Sequence, residues 1–217
     1  MTATTVPTDP DPDTAPDSAP DKSPDGAATW WRPVELLKPR WPTLLAVALV
    51  ILTSVGGGSG DPADSVSAFG DALPLLPLLY VITHQIGRRR AAWPVLGLGL
   101  AFMVALGAQD LVSQPVALIT LALAVLVWGA VRGTPHGRAA FGIQAAGTLA
   151  FGALALVGLA VDPDLGRYLV AAGWFFHGVW DFVHIRHSRL NKVVSPTFAE
   201  WCAVVDVLVA VQLLFLL

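Results

Sequence analysis

The chain has 217 residues, of which 54% are hydrophobic and 13% are charged, and its formal net charge is −3. A soluble domain carries about a quarter charged residues, so this composition disfavours one and points to a chain in contact with lipid. The single cysteine, Cys202, excludes an internal disulfide and a dithiol redox cycle. The run Arg88–Arg90 is interpreted as a signal for membrane orientation, and nothing in the composition indicates nucleic-acid binding.

The first 41 residues divide into two segments of different composition. Residues 1–28 contain six aspartates, six prolines and no aromatic residue, which predicts a disordered, acidic and proline-rich cytoplasmic tail. Residues 29–41 follow with apolar side chains at helical spacing, at Trp30, Val34, Leu37 and Trp41. This second segment is predicted to lie at the membrane interface as a short amphipathic element.

Residues 42–217 are predicted to form one helical membrane domain. The apolar stretches cover 41–57, 69–86, 91–109, 114–131, 139–160, 166–185 and 197–217. Because backbone groups in lipid must bond to each other, these stretches predict an all-α bundle of seven transmembrane helices. Pro74 and Pro77 predict a kink in the second helix. The fifth is expected to pack through a ridge of small residues at Gly142, Ala146, Ala150 and Ala153.

The distribution of charge predicts the topology. Arginine and lysine fall in every second gap, so that twelve of the thirteen basic residues share one side and Arg167 alone lies on the other. The remaining gaps carry Asp61, Asp64 and Asp71, then Asp110, and then Asp162 and Asp164. Since positive charge resists translocation, the N-terminus is expected to be cytoplasmic and the C-terminus external. The predicted location is the cell membrane, as a multi-pass protein with the lipid bilayer as its partner.

Polar residues within the last two apolar stretches are candidates for chemistry. His177, Asp181 and His184 stand at positions i, i+4 and i+7 and therefore share one helical stripe. A rise of about 1.5 Å per residue places Asp206 at the same depth as His177. An ionised carboxylate at this depth costs about 2.5–3.5 kcal/mol, so Asp181 and Asp206 should face the bundle interior. We expect Asp206 to lie within reach of His177, directly or through one water molecule.

These positions predict three kinds of site residue. The catalytic acid and base residues are expected to be Asp181, Asp206 and His177. A divalent metal, zinc or iron, would be bound by His177, Asp181, His184 and His84. Tyr80, Trp174, Trp180 and Glu200 are the candidates for substrate binding.

Several of these residues also have a structural interpretation. His177 and Asp206 could form a buried pair that locks two helices, and His184 could reach toward the interface. Thr197 and Glu200 have the spacing of a capping box at the start of the last helix. His136 lies in a Gly-Thr-Pro-His-Gly turn and is predicted to be solvated.

Several functions are disfavoured by missing residues. A retinal protein needs a lysine in its last helix and residues 197–217 contain none, and membrane desaturases need more histidines than the five present. In size and number of helices the chain is similar to the small seven-helix membrane terpene cyclases, without a shared motif. The sequence therefore predicts an intramembrane enzyme acting on a lipid-like or isoprenoid small molecule in the cytoplasmic half of the bundle. The alternatives are a proton-coupled small-solute carrier and a haem-binding membrane protein ligated by His84 and one histidine of the sixth helix.

Overall fold

All regular secondary structure in the described part of the chain is helical. A computed structural model describes residues 40–56, 62–109, 112–188 and 190–215. The predicted tail, and all but the last two residues of the interfacial segment, lie outside these ranges. The helices are α1 (Trp41–Gly56), α2 (Pro62–Ala72), α3 (Leu75–Ile86), α4 (Ala92–Gly107), α5 (Gln114–Arg132), α6 (Arg138–Ala160), α7 (Pro163–Arg186) and α8 (Pro196–Phe215).

The second apolar stretch is a broken helix made of α2 and α3. The break falls at Leu73 and Pro74, where the missing proline N–H interrupts the ladder of backbone hydrogen bonds, so the predicted kink is confirmed. Helical structure begins at Pro62, earlier than residue 69, where the apolar stretch begins. Asp64 and Asp71 are therefore helical residues, and the expectation that both belong to a connecting gap is wrong.

Five helical segments are long and apolar enough to cross a bilayer, which indicates a membrane protein. They are Ala63–Ile86, Arg89–Gly107, Gln114–Arg132, Arg138–Ala160 and Pro196–Phe215. Apolar side chains cover their outward surfaces, including Leu98, which is 71% exposed, and Val104, which is 75% exposed. The apolar part of α1, Trp41–Ser54, is shorter, and α7 carries the buried polar groups described below.

The face of α6 that packs inward differs from the one predicted. Gly142, Ala146, Ala150 and Ala153 are exposed or leave open space, so the predicted ridge does not form the contact. The buried side of α6 instead carries Gln144, Gly147, Phe151, Ala155 and Gly158. Both sets have helical spacing, and the polar Gln144 identifies the buried one.

The connections at one end of the bundle are rich in basic residues. Arg88, Arg89 and Arg90 precede α4 and lie beside His136, from the α5–α6 connection, and Lys192, from the α7–α8 connection. Asp71 lies beside Gln109 and Ser113 in a separate cavity, lined by the start of α5. The loops that the charge pattern assigns to one side of the membrane therefore meet at one end of the structure.

Candidate functional site

The inward face of α7 carries a stripe of buried polar side chains. His177 and Asp181 have no solvent exposure, and His184 is 1% exposed. The outward face of the same helix is apolar, with Phe176 and Phe182 among its exposed residues. This division follows from the spacing, because positions separated by three or four residues share one side of a helix.

Asp206 on α8 contacts His177 on α7, which confirms the contact predicted from sequence. The His177 Nδ1 and Asp206 Oδ2 atoms are 2.7 Å apart, and both residues are fully buried. Gly178 permits this approach of the two helices, since a Cβ atom there would lie 3.3 Å from both the Ala203 carbonyl oxygen and the Asp206 Cβ atom. A glycine beside the histidine therefore brings the carboxylate within hydrogen-bond distance.

Asp181 is held by a residue from a third helix. The Tyr80 hydroxyl on α3 donates a short hydrogen bond to Asp181 Oδ1. The other carboxylate oxygen, Oδ2, lies 3.7 Å from His177 Nδ1. His177 is thus close to two carboxylates, and Tyr80, His177, Asp181 and Asp206 form one connected group, which we call the buried centre.

The buried centre has unused capacity to bind a ligand atom. One ligand atom from each of His177, Asp181 and Asp206 can be chosen such that all lie within 4.8 Å of one another. Each of these residues also has a buried atom without a hydrogen-bond partner: His177 Nε2, Asp181 Oδ2 and Asp206 Oδ1. Buried polar atoms normally have partners, so these residues have the capacity to hold a metal ion or ordered water, with the His177 nitrogen that faces both carboxylates, Nδ1, already in contact with Asp206. Imidazole and carboxylate donors suit zinc and iron.

His184 belongs to a neighbouring hydrogen-bonded pair. Its Nδ1 atom lies 2.9 Å from the Trp180 carbonyl oxygen, and its Nε2 atom lies 2.8 Å from Nε2 of Gln144. Since a carbonyl accepts and an amide N–H donates, Nδ1 carries the proton of this imidazole. Both nitrogens are occupied, which leaves neither of them free for a metal or for a haem iron. The structure does not bring His184 into the three-ligand group.

His84 also lies outside the three-ligand group. It is fully buried on α3, one helical turn from Tyr80, and its ring centroid lies 5.0 Å from that of His136. Both ring nitrogens of His84 lack a hydrogen-bond partner in the structure. His84 therefore lies between the buried centre and the basic end of the bundle.

Glu200 lies on a different side of α8 from Asp206. Its Oε1 atom accepts a hydrogen bond of 2.7 Å from the Thr43 hydroxyl and lies 3.9 Å from Arg40. The predicted capping box is wrong, because α8 begins at Pro196 and the Ser195 hydroxyl accepts from the Phe198 N–H. The proline fixes the start of the helix one residue ahead of Thr197.

The two candidate tryptophans make packing contacts. The Trp174 indole N–H donates to the Phe69 carbonyl oxygen at 3.0 Å, close to the break between α2 and α3. The Trp180 ring packs over Gly147 and lies 5.9 Å from the Phe151 ring, measured between centroids. Trp180 also contacts His184, with a ring separation of 5.1 Å, and so forms part of the wall beside the stripe.

Three residues near the stripe were not predicted to take part. Gln144 bonds His184, Phe151 lies 5.0 Å from the His177 ring, and His136 has a buried Nδ1 atom although it was predicted to be solvated. Gln144 could have been predicted from the sequence as a site residue, because it is the only amide in the interior of α6. The position of His136 depends on how three loops meet, and no local pattern contains that information.

Comparison with known proteins yields no relative: no family model, no curated protein and no solved structure matches this chain. The chemistry of the buried centre is therefore the basis on which a function can be assigned.

Proposed function

We propose that this protein is an intramembrane enzyme whose buried centre binds a divalent metal ion, zinc or iron, and acts on a lipid-like or isoprenoid small molecule. One observation carries the proposal. His177, Asp181 and Asp206 meet in the protein interior, and each retains a buried atom that lacks a partner.

The proposal includes seven membrane spans, with the N-terminus in the cytoplasm and the C-terminus outside the cell. We count α1 and α7 as two further spans in addition to the five apolar segments. α1 is apolar over most of its 16 residues, and α7 has 24 residues with an apolar outward face. A helix of 24 residues is about 36 Å long, which exceeds the hydrocarbon thickness of about 30 Å. The basic end of the bundle then faces the cytoplasm.

Charge balance supports a divalent ion. Two carboxylates and a neutral imidazole carry a charge of −2, which a low-dielectric interior disfavours strongly. A divalent cation neutralises this charge without any basic side chain, and none of the basic residues touches the three ligands in the described structure. When bound, such an ion supplies a Lewis acid that polarises an oxygen atom of the substrate or of water.

The remaining residues of the centre have definite roles in this proposal. Tyr80 holds Asp181 in place and would serve as a proton donor to it. One carboxylate of the centre, on Asp181 or Asp206, would accept a proton during the reaction, as expected of a general base. Phe151 and Trp180 exclude water from the His177 side. A lipophilic substrate matches a centre that is enclosed by aromatic rings.

Elemental analysis of the detergent-purified protein tests the proposal. We expect about one zinc or iron ion per chain, since His177, Asp181 and Asp206 supply the three protein ligands of a typical catalytic site. Asp181→Asn and His177→Gln should lose the ion while keeping the helical circular dichroism spectrum. Glu200→Gln is the matched control, because Glu200 lies on α8 outside the centre. A protein that neither contains nor binds these ions would exclude the metal-dependent enzyme.

A proton-coupled small-solute carrier is the second candidate, and a specific observation favours it. Protonatable side chains extend from the buried centre toward the basic end. The Tyr80 ring lies 5.5 Å from His177 and 4.7 Å from His184, and His84 and His136 follow. Such a series can relay protons within a membrane. Proteoliposomes with an internal pH dye separate the candidates, because a carrier acidifies the lumen when its solute is supplied and an enzyme does not.

A further inference from the structure

Three loops at one end of the bundle border an open pocket that forms a second candidate site. Gly87, Arg88, Arg89, Arg90, His136 and Lys192 line a cavity of about 440 Å³, which we call the basic pocket. The loops converge because Gly87 adopts a φ of 70° at the end of α3. A Cβ atom at Gly87 would approach Pro135 to 3.1 Å, so glycine allows the α5–α6 connection to close over the arginines.

The electrostatics of the basic pocket favour an anion. Three arginines and one lysine line it, and within the described residues none of them forms an ion pair. The carboxyl end of α3 contributes a negative partial charge of about half a unit. Four full positive charges outweigh this dipole. The lining residues include no aspartate or glutamate.

Two histidines provide an independent indication of a ligand. The wall residue His136 has a buried Nδ1 atom without a partner. Behind it lies His84, fully buried, whose two ring nitrogens also lack partners and whose ring centroid is 5.0 Å from that of His136. Hydrogen-bonding groups in a protein interior are rarely left unsatisfied. An oxygen-rich ligand that enters the pocket would supply an acceptor for the His136 imidazole, which in turn lies against the His84 ring.

We propose that the basic pocket binds a phosphate group. The arginine fork pairs with phosphate oxygens through two parallel hydrogen bonds, and lysine adds a point charge. Basic pockets between transmembrane helices bind phosphate-bearing headgroups when they lie at headgroup depth. The pocket lies where α3 ends and α4 begins, which is that depth for helices that cross the bilayer. The site is separate from the buried centre, so it does not depend on the proposed metal chemistry.

Binding measurements on the full-length protein test this site and identify the source of the phosphate. Inorganic phosphate and pyrophosphate are titrated calorimetrically into detergent-purified protein. Native mass spectrometry then counts phosphatidic acid molecules retained from mixed micelles that also contain an uncharged glycolipid. Uptake of the soluble ions identifies a free phosphate compound, whereas selective retention of phosphatidic acid identifies a lipid headgroup. The absence of both would overturn the proposal.

Single variants show whether the named residues carry the binding. Arg89→Gln and Lys192→Gln should each weaken phosphate binding by about tenfold, since a hydrogen bond to a charged group is of that strength. Arg138→Gln is the matched control, because Arg138 is a basic residue at the start of α6 that lines a different cavity. Equal weakening by Arg138→Gln would also overturn the proposal, since only the general positive charge of this end would then matter.

Discussion

Replacing Asp206 tests the contact between α7 and α8. The His177 and Asp206 atoms lie 2.7 Å apart in a site without solvent exposure, so Asp206→Ala leaves the imidazole without its partner. Removing one member of a buried pair destabilises a protein by about 3–5 kcal/mol. For a domain of this size, 1 kcal/mol shifts the melting temperature by about 2–4 °C, so the loss should be about 10 °C.

A double-mutant cycle isolates the contact from other effects of the substitution. Asp206→Ala, His177→Ala and the double variant are compared by unfolding in mixed micelles with increasing sodium dodecyl sulfate, followed by tryptophan fluorescence. Because the double variant removes both polar groups, it should be destabilised by less than the sum of the single variants. We expect a coupling energy of about 2–3 kcal/mol, at the upper end for residues in contact.

The control and the refuting result come from the same helix. Glu200→Ala removes a partly exposed carboxylate that is bonded to Thr43, and we expect a loss of less than about 1 kcal/mol. A coupling energy near zero between His177 and Asp206 would show that the two side chains do not interact in the folded protein. The assignment of both residues to one centre would then be wrong.

Three further experiments probe other parts of the structure. Tyr80→Phe removes the hydrogen-bond donor to Asp181 and should weaken metal binding by about 10–100-fold. The affinity is measured by competition with a chelating dye, and an unchanged affinity would place Tyr80 outside the centre. Gly166→Ala directs a methyl group at the Gly158 carbonyl oxygen and should destabilise the protein by about 1–3 kcal/mol in the same unfolding assay. Gly142→Ala is the control, because its methyl group meets open space and should not destabilise the protein. A reporter enzyme fused after the last residue should be located outside the cell, and a reporter inserted at Gly133 should be located inside it. If both reporters lay on the same side, the number of membrane spans between them would be wrong by one.

The helices were predictable because the bilayer imposes a strong constraint on sequence. Apolar runs of sufficient length must be helical in lipid, and the gaps between them are marked by charge. The kink followed from Pro74, which lacks an N–H group. The early start of α2 was missed because Asp64, Ser65 and Ser67 lower the apolar content before residue 69, although an acid in the first turn is compatible with a helix.

The candidate site was predictable where one helix determines it. His177, Asp181 and His184 share a face of α7 by spacing alone, and the midplane depth of Asp206 directed it to the same region. The partition of ligands was not predictable, because it depends on contacts between helices. Gln144 hydrogen-bonds to His184 and occupies its second ring nitrogen. Whether this contact forms depends on how α6 is rotated about its own axis. A small-residue ridge suggested the opposite rotation.

Charge neutrality leads to a final prediction about the buried centre. Two ionised carboxylates and a neutral imidazole carry a charge of −2, so the centre becomes neutral only when it binds two further protons. These protons are shared among His177, Asp181 and Asp206. A divalent ion that binds there brings two positive charges, and a neutral interior then requires that the protons leave. Zinc binding should therefore release about two protons per ion, measured by calorimetry in buffers with different ionisation enthalpies. Release of no protons would place the ion at acids that are already ionised, outside the buried centre. Asp181→Asn removes one ionisable ligand, so any remaining zinc binding should release about one proton fewer.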